Sequence, residues 1–186
     1  MKKHFLKYSI VIAIVFFACQ YFSAQPLQVI HDIIPDLVKK KVIYSPDKKM
    51  SAYIFSAGKR NSPSTESRIE IRSLNGRVLC SQSYISKDYS HGMNILKGQW
   101  TQNSMYFVFN GCYSGGHQSG HFPTYFYSRN DNGIHYLDPF VGIWVTGDFT
   151  LTSEDSLSIR ISARLKDGKI VDTLIKTVCL SELQNK

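Results

Sequence analysis

Apolar positions recur along most of this chain with the period of a strand, not of a helix. SRIEIRS (67–73) and SLSIRISA (156–163) alternate apolar and polar residues, which predicts strands with one wet face. MYFVF (105–109) is apolar throughout, which predicts a strand covered on both faces. The same reading gives strands at 51–57, 67–73, 76–85, 93–100, 104–110, 123–129, 133–137, 148–152, 156–163 and 169–180, all rich in β-branched and aromatic residues. No long amphipathic helical pattern follows residue 41. Residues 26–41, divided by Pro35, read as one short helix or an extended lead-in.

Turn chemistry separates these runs. Asn75-Gly76 and Asn132-Gly133 lie between strand runs, the strongest short hairpin signal, and Asp167-Gly168 repeats the device. Pro46-Asp47-Lys48 has the residues of a type I turn. The expected fold is therefore all-β and antiparallel.

A weak repeat underlies the pattern. YSPDKKMSAYIFS (44–56), WTQNSMYFVFN (100–110) and LTSEDSLSIRIS (151–162) each run through a polar turn into a strand. They begin 56 and then 51 positions apart, spacings that suit four-stranded propeller blades. The first copy, Tyr44-Ser45-Pro46-Asp47-Lys48-Lys49 followed by Ala52-Tyr53-Ile54-Phe55, resembles the blade repeats of TolB-like and WD40-like propellers. In the second copy Trp100 and Phe107-Val108-Phe109 match, with Thr101-Gln102-Asn103 in place of Ser-Pro-Asp. The resemblance implies blade-like β-meanders. Three units are too few for an ordinary closed propeller, so the expectation is a partial, propeller-like stack, with a β-sandwich as the alternative.

The N-terminus changes the picture of where the chain acts. Lys2, Lys3 and Lys7 precede the ten-residue apolar run Ile10–Cys19, as in a secretory signal peptide, residues 1–24. The expected location is periplasmic or secreted; the alternative is a lipoprotein anchored at Cys19. Membrane contact is expected only with that anchor or an uncleaved N-terminus. Residues 25–41 would then lead into one β domain, 42–186. The formal charge is +8, but residues 1–24 hold three lysines and no acid, leaving 19 basic against 14 acidic residues, net +5. These charges are scattered and carry no nucleic-acid motif, so no nucleic acid is expected as a partner. Cys80, Cys112 and Cys179 follow Cys19, with no C-x-x-C pair, so a zinc knuckle is not indicated. Cys80 and Cys179 sit in strand-like runs as small apolar residues; Cys112 is the candidate disulfide partner.

Candidate chemistry concentrates in NGCYSGGHQSGHFPTYFYSRNDN (110–132). His117 and His121 are four apart, but Gly115, Gly116 and Gly120 oppose a helix and no Glu stands between them, so the zinc-enzyme motif is not met. Asp131, His135 and Asp138 are the nearest further ligands. Ser114 and Ser119 lie outside a G-x-S-x-G elbow, and Cys112 with a histidine is the remaining nucleophile pair. No catalytic residue, metal or cofactor is assigned. A connection of this length often binds. With Phe126 inward and Tyr125 and Tyr127 outward, the expected patch is Tyr113, His117, His121, Phe122, Tyr125, Tyr127 and Arg129. Beyond it, Trp144, Phe140 and Phe149 read as core. The resulting expectation is an exported non-catalytic protein-binding module, inhibitor or immunity-type, using the 111–123 loop. The competing expectation is an exported hydrolase or metal-dependent enzyme using His117, His121, Cys112 or Ser119. A homo-oligomer completing its sheets with another copy is the third.

Overall fold

The computed structural model describes residues 38–58, 65–115, 120–141, 145–166 and 169–183, all within one compact unit, Asp36–Lys186. Eleven strands follow one another: β1 (Val38–Tyr44), β2 (Met50–Ala57), β3 (Glu66–Ser73), β4 (Val78–Ser83), β5 (Met93–Trp100), β6 (Tyr106–Tyr113), β7 (Thr124–Ser128), β8 (Gly133–Tyr136), β9 (Val145–Leu151), β10 (Ser156–Lys166) and β11 (Lys169–Cys179). Two single-turn helices, α1 (Asp138–Val141) and α2 (Leu180–Leu183), complete the described elements. Every predicted run overlaps a strand. The difference lies at the start: β1 begins at Val38, inside the expected lead-in, and its lysine-rich first half gives no apolar alternation to announce it.

The strands form three antiparallel meanders in the orders β1-β2-β3-β4, β5-β6-β7-β8 and β11-β10-β9. These are the propeller-like blades the repeat implies, three of them and not the two sheets of a sandwich. The middle sheet packs on both neighbours. Phe107 and Phe109 of β6, with Tyr127, Met93, Ile95 and Trp100, meet Met50, Ala52, Ile54, Ile69 and Ile71 of the first sheet. Tyr106 and Val108, alternating with them, join Phe126 in meeting Phe149, Leu157, Ile159 and Ile161 of the third. Strand alternation thus sends successive β6 side chains into two different cores, which is why the run is apolar throughout. Phe149 lies in the second of these cores, but Phe140 is exposed on α1, a correction to its core reading. Trp144 lies outside the described residues.

The repeat is executed atom by atom. Ser45 Oγ accepts from the Met50 N–H (3.0 Å) and donates to Asp47 Oδ1 (2.7 Å). Thr101 Oγ1 likewise accepts from the Tyr106 N–H (3.0 Å) and donates to Asn103 Oδ1 (2.8 Å). Lys48 and Ser104, equivalent in the two turns, both take positive φ (57° and 63°). The third turn is one residue tighter, closing from the Thr152 N–H to the Ser156 carbonyl. The first two blades are also tied directly. The Trp100 indole N–H donates to the Ile43 carbonyl (3.0 Å), Ser104 Oγ accepts from the Asp47 N–H (3.0 Å), and Arg129 pairs with Asp47 (2.8 Å).

Candidate binding site at the 111–123 loop

The loop joins β6 to β7, and both of its roots are fixed by buried carboxylates. At the first root, Ser114 Oγ donates to Glu66 Oε1 (2.6 Å). Glu66 has no exposed surface. It also accepts from the Ser86 N–H (2.6 Å), the Ser86 hydroxyl (2.9 Å) and the Gly92 N–H (2.6 Å). One carboxylate at the start of β3 therefore gathers the 84–92 connection and the 111–123 loop. Burial works to raise its pKa, but the bonds from Ser114, Ser86 and Gly92 outweigh it and hold the group ionised below its ordinary range. Gly92 is needed for this approach: a Cβ there would stand 2.5 Å from Glu66 Cδ and closer still to the Tyr84 carbonyl.

At the second root, His121 Nε2 lies 2.6 Å from Asp138 Oδ2, with both side chains at least nine-tenths buried. The Tyr136 hydroxyl lies 3.4 Å from the same nitrogen, and the Tyr113 ring stands 5.9 Å from the imidazole. Asp138 opens α1, one turn beyond β8. Its Oδ1 is buried with no hydrogen-bond partner among the described residues. Burial, then the Asp138 charge and hydrogen bond, keep the proton on Tyr136 far above the ordinary phenol range. Burial and the Asp138 charge likewise raise Tyr113. Burial, with the neighbouring Tyr113 and Asp138, pushes Tyr125 up to about 12. Beneath the roots the aromatic rings follow in sequence: Tyr136 stacks on Tyr125 (4.9 Å), Tyr125 stacks on Phe109 (5.4 Å), and Tyr84 meets Tyr125 at a tilt (5.1 Å).

The structure brings Tyr113, His121 and Tyr125 together at this end of the middle sheet, with Phe122 half-buried beside His121. The outward placement of the tyrosines is corrected. Tyr127 is fully buried between the first two sheets, its hydroxyl donating to Asn132 Oδ1 (2.8 Å), and Tyr125 packs against the same core. The reason is that this sheet is covered on both faces, so alternation chooses between two interiors and not between core and water. Arg129 is also corrected: it sits beyond the far end of β7, paired with Asp47 and away from the loop. Asp131 and His135 form their own pair (2.8 Å) at that far end, so they do not converge with His121. Cys80, Cys112 and Cys179 are free, half-buried thiols. By strand alternation Cys112 takes the face of β6 opposite Tyr113, away from His121. His117 and Ser119 lie outside the described residues. Among the described residues no group of three histidines, cysteines or acids could hold a metal ion.

Sequence reasoning missed Glu66, Ser86, Tyr84 and Tyr136. They come from three distant segments, and nothing local marks a glutamate at a strand start as the hub of two loops.

No family model and no curated protein matches the chain. Among solved structures it is similar to a eukaryotic initiation factor (12% identity, 79% of this chain and 31% of that one, TM-score 0.45). It is similar also to the acylaminoacyl peptidase of Pyrococcus horikoshii (8% identity, 78% and 23%, TM-score 0.46). A third is the β-propeller domain of the Trilobed protease from Pyrococcus furiosus, described as having an open velcro topology (8% identity, 77% and 54%, TM-score 0.31). The chain spans under a third of the length of the first two.

Proposed function

We infer that this is an exported, non-catalytic binding protein that engages a protein partner with the 111–123 loop, in the periplasm or outside the cell. The observation that carries this reading is the clamping of both loop roots. Ser114 is held by Glu66 and His121 by Asp138, on a floor of stacked tyrosines. A loop whose ends are fixed loses less conformational freedom on binding, and that preorganisation favours affinity. Ser114 and His121 at its roots are engaged internally, in bonds that position the loop. Export rests on the N-terminal pattern of charge and apolar residues. Among the described residues no helix is long and apolar enough to cross a membrane. An inhibitor or immunity-type role, with the loop entering a partner's cleft, is the specific form proposed.

A hydrolase is the second reading, and the His121–Asp138 pair favours it, because a carboxylate that orients an imidazole is half of a general-base device. Envelope extract passed over the wild type and over a variant with Gly-Ser replacing residues 116–119 tests both readings, alongside esterase and peptidase assays and zinc analysis. A partner retained by the wild type and lost by the loop variant supports binding. Hydrolysis abolished by His121→Gln, or one equivalent of zinc, overturns it.

A further inference from the structure

Among the described residues the third blade has one strand fewer than the other two. The first two sheets have four strands each, whereas the third has three, and β11 lies at its edge with no strand beside it among the described residues. β11 is eleven residues long, and Leu174 (47% exposed) and Ile175 (69% exposed) are open to solvent on it. A long, apolar, unpaired edge is a template for strand addition.

The peptide groups on that edge can be identified. The Leu180 N–H donates to the Asp155 carbonyl at the start of β10, so even-numbered residues of this strand turn inward to β10. The register runs without a bulge from Thr173 to Cys179, so Thr173, Ile175 and Thr177 turn their peptide groups to the open edge. The Thr173 N–H accordingly goes to the Asp172 carboxylate (2.8 Å) and not to β10.

We propose that β11 pairs antiparallel with β11 of a second copy, about a two-fold axis at Leu174, so that two third blades join into one six-stranded sheet. Antiparallel pairing through odd-numbered residues allows only registers centred on a residue. The register centred on Leu174 sets Asp172 opposite Lys176 of the second copy, twice by symmetry, and Thr173 opposite Ile175 in the hydrogen-bonded positions. The neighbouring register, centred on Ile175, would set Asp172 opposite Val178 and Lys176 opposite Leu174, with no charge pair. Among the described residues Lys176 makes only a long bond, to the Val141 carbonyl (3.4 Å), and Asp172 is exposed, so both retain capacity for a cross-strand partner. Leu174 meets its own symmetry mate in a position where Cα atoms approach to about 4.5 Å.

Sedimentation velocity on the protein, purified as the cell produces it, tests this together with three charge variants checked by circular dichroism. The wild type is expected to dimerise. Asp172→Lys and Lys176→Asp each turn two attractive pairs into two repulsive ones and should weaken dimerisation by roughly 30-fold. The double variant Asp172→Lys/Lys176→Asp restores opposite charges and should restore the dimer. Under mild oxidation Leu174→Cys should cross-link two copies, and Ile175→Cys should not. A monomeric wild type at about 100 μM, a dimer indifferent to these charges, or a double variant no better than the singles would overturn the proposal.

Discussion

Removal of the Glu66 carboxylate should loosen two loops at once, and the size of the effect can be worked from its partners. The group accepts from the Ser86 and Gly92 N–H groups and from the Ser86 and Ser114 hydroxyls. In Glu66→Ala the hydroxyls have other acceptors, Asp88 Oδ1 for Ser86 and the Gly92 carbonyl for Ser114. The two backbone donors have no such substitute. Stranding each costs about 1–3 kcal/mol, so the loss should be about 2–6 kcal/mol. Glu66→Gln keeps one acceptor oxygen but turns an NH2 toward donors, and should lose about 2–3 kcal/mol at neutral pH. The pH dependence has a fixed sign. The folded pKa lies below the ordinary value of 4.5, so the carboxylate's contribution is whole above that pH and is lost as pH falls through the folded value. Urea unfolding of wild type and Glu66→Gln across this range measures it. The deficit of the variant should shrink as the wild type protonates. Equal stability at neutral pH, or a deficit that does not diminish as pH falls below 4.5, would refute the reasoning.

Breaking the second root should be comparably costly. His121→Ala leaves Asp138 buried and unpaired, for about 3–5 kcal/mol, and amide exchange should quicken at Phe122 and Tyr136 more than at Ala52 in the first sheet. Trp100→Phe removes the indole donor to the Ile43 carbonyl and part of a buried ring, and should cost about 1–3 kcal/mol in urea unfolding. Gly92→Ala drives a Cβ into the Tyr84 carbonyl and the Glu66 carboxylate, and a loss of at least about 1–3 kcal/mol is expected by the same measurement.

The turn repeat was legible because its chemistry is local. Ser45 with Asp47, and Thr101 with Asn103, close their own turns, and residues two to five apart carry the whole signal. Strand positions were legible for the same reason, since period-two alternation belongs to each strand alone. β1 escaped because its lysines mask that alternation. The candidate site was legible only in outline. The glycines and histidines of the 111–123 segment mark a long loop, but Glu66 and Asp138, which hold it, lie 48 and 17 residues from the groups they bind.

By itself, then, the sequence determined the all-β class, the strands, the hairpin turns and the blade-like repeat, all of which follow from backbone preferences and short-range hydrogen bonds. Tertiary structure alone decided which faces are dry. Alternation places Tyr125 and Tyr127 opposite Phe126, but only the packing of the first and third sheets on the two faces of the second turns both into interior. It also decided that His121 meets Asp138, that Arg129 leaves the loop for Asp47, and that among the described residues β11 ends its sheet with an open edge. Each of these is a contact between segments far apart in the chain, set by how sheets stack and not by any pattern within one of them.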